Sequence, residues 1–148
     1  MNIRTVTILV SASRDTVFNY LADIENLPRW ATEYCERLEL RGGRWWAYTS
    51  QGEMLVENET SAGTGVIDLR TGPSADRLGL LPIRVLPHSL RTALVTFTCI
   101  QPPGVTDERY EQRYQDLLVE LAGLVRRFGG GEVFPPADAP QLAELGRN

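Results

Sequence analysis

The chain contains no lysine: its fifteen basic residues are all arginine, against nineteen acids and a formal charge of −4. The arginines are scattered, with Arg126-Arg127 the one adjacent pair. A nucleic-acid or anionic-membrane binder needs a basic patch that displaces counterions, and this distribution supplies none. One histidine and two cysteines, Cys35 and Cys99, leave too few ligands for a zinc site or a Cys/His nucleophile. Both cysteines fall in strand-like segments, where a free thiol behaves as a small hydrophobe. No apolar run approaches the roughly 18 residues of a membrane span, which argues against membrane insertion. The N-terminus alternates from the start and has no apolar signal-peptide region, so a cytoplasmic, reduced protein is expected. No P-loop, GxGxxG after a strand, HExxH, Ser-His-Asp order or paired-carboxylate motif occurs, and neither a metal nor any other cofactor is expected.

What remains is ordinary globular material. The 148 residues, 43% hydrophobic and 23% charged, suit one domain able to hold a core or an internal cavity. Residues 3–10 (IRTVTILV) alternate as a strand with one strongly apolar face. Ser11 to Ser13 supply a helix start, and Val17, Phe18, Leu21 and Ile24 follow at helical spacing. Asn26 opens a second short helix that tolerates Pro28 in its first turn.

From Tyr34 the period becomes two. Residues 34–41 and 44–50 form a hairpin about Gly42-Gly43, with Arg41 opposite Arg44, Leu40 opposite Trp45 and Leu38 opposite Ala47. Strands follow at 53–60, 65–71, 81–86 and 90–100, and His88 lies in the turn between the last two. The strand at 90–100 is apolar on both faces and should be central. Its cover is a helix over 106–128, where Tyr110, Tyr114, Leu117, Leu118, Leu121, Leu124, Val125 and Phe128 form one apolar stripe. Gly129-Gly130-Gly131 stops it. The pattern predicts an α+β domain over 1–129, with about seven antiparallel strands wrapped around a long C-terminal helix. Residues 130–148 read as a mobile tail, with a turn of helix near 141–145. A sheet that wide exceeds what one helix fills, and the gap is the natural place for a ligand cavity.

Several side chains carry candidate chemistry, each beside a plainer role. His88 is the sole histidine, but a Pro-His-Ser turn suggests exposure. Asp68 interrupts an apolar strand: it is either a cavity acid or an outward residue paired with Arg70 or a neighbouring strand. Glu53, Glu57 and Glu59 share one strand face and read as solvated, which turns Met54, Val56 and Asn58 inward. Tyr114 either packs or hydrogen-bonds a ligand. Trp30 ends the second short helix near the expected mouth. One of Trp45 and Trp46 faces the cavity and could stack on a planar ligand, while the other could form a dimer contact.

The order of elements and several strings resemble the START/Bet v1-like helix-grip (SRPBCC) superfamily, in particular its polyketide cyclase/dehydrase-like branch. The strings are SASRDTVFN at 11–19, DIENLPRW at 23–30, Glu33-Tyr34, Val66-Ile67-Asp68, ALVTFTCIQPPG at 93–104 and LLVEL at 117–121. The resemblance spans residues 3–129 and implies a hydrophobic cavity between sheet and C-terminal helix, entered near the short helices. It implies that Tyr34 matches a cavity tyrosine of the aromatase/cyclases. Those enzymes also place an arginine among the cavity strands, and this chain has none between Arg44 and Arg70.

The expected function is binding of a small hydrophobic, aromatic or polyketide-like molecule, by a monomer or homodimer. Its ligand set would be Trp30, Tyr34, Trp45, Val56, Asp68, Tyr114, Leu117, Leu118 and Leu121. The alternative is a cofactor-free cyclase, aromatase or dehydratase that orients its substrate and moves protons through Tyr34, Asp68 or Tyr114. A third possibility is a cavity filled by the protein's own side chains, with a protein partner on the outer sheet face or the tail.

Overall fold

A computed structural model describes residues 1–137. Twelve elements follow one another: β1 (Ile3–Val10), α1 (Arg14–Ala22), a 3-10 turn (Ile24–Asn26), α2 (Leu27–Trp30), β2 (Arg37–Arg41), β3 (Arg44–Thr49), β4 (Gly52–Ser61), β5 (Val66–Gly72), β6 (Gly79–Ser89), β7 (Thr92–Ile100), α3 (Asp107–Arg127) and β8 (Gly131–Phe134). The strands form one antiparallel sheet in the order β2-β3-β4-β5-β6-β7-β1-β8.

Local chemistry explains the boundaries. Ser13 caps α1 by accepting from the Thr16 N–H, and Thr106 caps α3 by accepting from the Arg109 N–H. Asp107 and Glu108 begin α3, and Arg126 and Arg127 end it, each with the sign the helix dipole favours. Gly42 and Gly43 both take positive φ in the β2–β3 turn, and the pairs Arg41–Arg44, Leu40–Trp45 and Leu38–Ala47 form as the pattern predicts.

The core lies on one sheet face. Val6, Phe97, Ile83 and Ile67 stand in register across four strands and are buried. Val17, Phe18 and Leu21 of α1 pack on this face, with Tyr110, Tyr114, Leu117, Leu121 and Leu124 of α3. The Tyr110 hydroxyl donates to the Cys99 carbonyl at 2.8 Å, pinning the first turns of α3 to β7.

Three expectations need correction. Residues 131–134 are not tail: they pair with residues 7–10 of β1, because Gly130 and Gly131 take positive φ and turn the chain back against the sheet edge. The expected turn of helix at 141–145 lies outside the described residues. The turn after β6 is at Leu90-Arg91 rather than at His88, which stays in the strand, exposed, with Nδ1 2.9 Å from the Thr92 hydroxyl. Finally, β2 starts at Arg37, so Tyr34 lies in the turn that follows α2. The Tyr34 and Cys35 N–H groups both bond the Ala31 carbonyl, which closes this turn before any ladder begins.

Candidate functional site

The α3 stripe is not apolar throughout. Its second half is dense: Leu121, Leu124 and Val125 are buried among residues from the sheet and α1. Its first half carries Arg109, Gln112, Arg113 and Asp116 beside Tyr110 and Leu117. Polar side chains there cannot close onto the sheet, and a cavity of about 640 Å³ opens between this half and the sheet end.

Four segments complete the walls. The first is α2 and its turn, with Leu27, Trp30, Ala31, Glu33 and Tyr34; the second is the β3–β4 connection from Thr49 to Met54. The third is Leu69 and Thr71 of β5 with the β5–β6 loop, and the fourth is Cys99 with Pro102, Pro103 and Gly104 after β7.

Of the residues expected to hold a ligand, Trp30, Tyr34 and Leu117 line this cavity. Trp45 does not: it is half-buried on the inner face, opposite Val56, which is itself buried. Trp46 occupies the outer face, beneath the Arg41 guanidinium at 4.9 Å. Tyr114 and Leu121 are buried in the core, and Leu118 packs against it. The Tyr114 ring lies 4.4 Å from the Arg4 guanidinium, which is ion-paired to Glu111. Asp68 is on the outer face and accepts from Arg84 Nη1 at 2.8 Å. It therefore cannot serve as a cavity acid in this structure. Alternation decides the matter, because its neighbours Ile67 and Leu69 both point into the core. Glu53, Glu57 and Glu59 are exposed, as the pattern predicts.

Two residues outside the expected set organise the site. Glu120 is fully buried on α3. Its Oε2 accepts from the backbone N–H groups of Glu33 and Tyr34 at 3.0 and 3.1 Å, and its Oε1 accepts from Arg113 Nη2 at 2.8 Å. One carboxylate thus ties the turn carrying Tyr34 to the helix carrying Arg113. Burial pushes the Glu120 carboxyl above the usual range, while Arg113 and the two N–H groups pull it back. The Arg113 guanidinium lies 4.9 Å from the centre of the Tyr34 ring. Burial also raises the Tyr34 phenol, chiefly against a Thr71 hydroxyl bond and the charge of Arg113. At neutral pH it is a neutral hydrogen-bonding group. The cysteines are free and buried, and desolvation holds the Cys35 thiol up at about 11, so neither is a nucleophile.

One wall depends on an absent side chain. A Cβ at Gly72 would overlap the Arg77 carbonyl of the β5–β6 loop, whereas one at Gly63 meets open space. Gly72→Ala must displace the loop and should cost about 1–3 kcal/mol, with weaker binding of any cavity ligand. Gly63→Ala should leave both unchanged. Thermal unfolding with and without ligand compares them, and equal behaviour would refute the role given to the loop.

The described residues include no cluster of three or more His, Cys, Asp or Glu able to hold a metal ion, and no helix long and apolar enough to cross a membrane. No family model matches the sequence, and no curated protein matches it. Solved structures do. The START superfamily protein from Mycobacterium smegmatis superposes with a TM-score of 0.55 at 15% identity, over 84% of this chain and 97% of that one. The chain has the START-like helix-grip fold. XoxI from Bacillus cereus matches the same START-like frame at a TM-score of 0.68 and 18% identity, covering 86% and 96% of the two chains. The Zhui aromatase/cyclase from Streptomyces sp. R1128 matches at 0.57 and 16%, covering 87% and 99%. In this START-like chain the arginines lining the cavity are Arg109 and Arg113 of α3 and Arg77 of the β5–β6 loop, none of them on a strand.

Proposed function

We propose that this protein binds a small hydrophobic molecule, aromatic or polyketide-like, between the first half of α3 and the sheet end. The observation that carries the reading is the cavity itself: about 640 Å³, walled by Leu27, Trp30, Met54, Leu69 and Leu117. That volume lies within the range of small-molecule sites, as does a mainly apolar lining with a few converging polar groups. The START-like neighbours, one of them an aromatase/cyclase, support the same class of ligand. Two buried free thiols suit a reducing, cytoplasmic setting. The binding unit extends through β8 and acts as a monomer or homodimer.

Native mass spectrometry of the freshly purified protein, then thermal-shift screening with planar aromatic and acyl compounds, tests the reading. A ligand at 100 times its Kd should stabilise by about 2.7 kcal/mol. Met54→Arg, which puts a charge on the cavity wall, should abolish that shift while changing the unliganded melting temperature little. A protein that carries no small molecule and responds to none of the compounds would refute the proposal.

A second reading, cofactor-free cyclisation or dehydration of the bound ligand, is favoured by Tyr34. Its neutral hydroxyl sits in the wall beside Thr71 and below Arg113, placed to donate to a substrate oxygen. Under this reading Tyr34→Phe lowers turnover and spares binding.

A further inference from the structure

Resting on the cavity reading above, we infer that the ligand bears an acceptor oxygen, carbonyl or carboxylate, which docks on Arg113. Arg113 Nη1 is shielded from solvent and has no hydrogen-bond partner. A guanidinium can only donate, so an acceptor must come from elsewhere. Glu120 does not supply it: its Oε1 accepts from Nη2, its Oε2 from the two backbone N–H groups, and neither bonds Nη1. Tyr34 and Thr71 stand in the same cavity wall, and neither hydroxyl is bonded to Nη1.

The distribution of charge on the walls points the same way. Glu33, Asp76, Arg77 and Arg109 are exposed at the rim, and the half-buried Asp116 accepts from Gln112 on its own helix at 2.9 Å. Arg113 is the one lining cation below the rim among the described residues, and its counter-charge stands behind it, outside the cavity. Its side chain keeps 30% of its surface accessible, and its guanidinium lies 4.9 Å from the centre of the Tyr34 ring, in the same cavity wall. Acceptors bonded to a guanidinium are held more strongly than those bonded to neutral donors, so this contact would set the ligand's orientation.

Three probes of one shape test the inference: 2-naphthoate, 2-acetylnaphthalene and 2-ethylnaphthalene, measured by calorimetry or by competition. The ketone or the acid, or both, should bind the wild-type protein about tenfold or more tighter than the hydrocarbon, a margin typical of a good hydrogen bond to a charged group. The margin should fall to within about twofold in the Arg113→Met/Glu120→Gln double variant, which removes both charges so that neither is left buried alone. The order of ketone and acid identifies which oxygen chemistry the site takes. Equal binding of all three to the wild-type protein would overturn the inference and leave the cavity reading standing. A margin that survives in the double variant would place the oxygen elsewhere and overturn it as well. Binding of none would remove the cavity reading and this inference together.

Discussion

Replacing Arg113 alone with methionine is expected to destabilise the fold by about 3–5 kcal/mol, the range for a buried ion pair broken from one side. Glu120 has no accessible side-chain surface, and Arg113 is its only cationic partner among the described residues. At roughly 2–4 °C per kcal/mol the loss is readily seen in thermal unfolding. The cost should depend on pH in a definite direction. Burial already holds the folded Glu120 carboxyl above its ordinary value, and Arg113 is the main influence that lowers it. Removing Arg113 lets that carboxyl climb further. Between the unfolded value, about 4.3, and the raised folded one, the native state holds a proton that the unfolded state has lost. Stability therefore declines as pH rises through this window, and the window is wider in Arg113→Met. The variant's deficit should be smallest near about pH 5 and largest near about pH 8, because a protonated Glu120 needs no counter-charge. Adding Glu120→Gln should recover most of the loss and flatten the profile. An Arg113→Met deficit that is small and independent of pH would show that the pair does not hold the turn to the helix.

The same pair marks where the sequence became hard to read. Regular periodicity made the sheet, the β2–β3 register and the inward set Met54, Val56 and Asn58 legible, because a strand that buries one face leaves no choice of side. It also identified α3, through the spacing of Tyr110, Tyr114, Leu117, Leu121 and Leu124. What it blurred was which part of that stripe is filled. Leu118 and Leu121, expected at a ligand, lie in or against the packed half, and Tyr114 is buried beside Arg4, while the open half is signalled by polar residues where apolar ones belong. Arg113 and Glu120 are seven positions apart, on the same helix row as Leu117 and Leu124. Two opposite charges on an inward row were the available sign of a buried pair. Asp68 looked like a misplaced acid for the opposite reason: its strand is apolar on the core face, but its own side is the outer one, where Arg84 meets it from β6. Period two contains that answer once the inward residues are fixed. The β8 edge had no such pattern, since a four-residue strand that opens on the last of three glycines carries too little alternation to announce itself.

Phe97→Ala is expected to cost about 3–5 kcal/mol, the range for deleting a fully buried aromatic ring. Phe97 stands at the middle of the sheet, with Val6 opposite it on β1 and Ile83 on β6, and none of its surface is accessible. Its ring centre lies 5.9 Å from that of Trp30, tilted by 55°. That contact links the sheet to α2, and α2 contributes Leu27 and Trp30 to the cavity wall. Stability and ligand binding should therefore fall together: the lost ring leaves a void that the Trp30 indole can enter, taking the wall with it. Leu124→Ala, a buried deletion in the distant half of α3, provides the comparison. It should also cost about 2–5 kcal/mol yet leave ligand affinity within a few-fold, provided both variants are assayed well below their melting temperatures. Equal loss of affinity in the two would mean that binding tracks global stability. Selective loss in Phe97→Ala would show that the core positions the wall through Trp30.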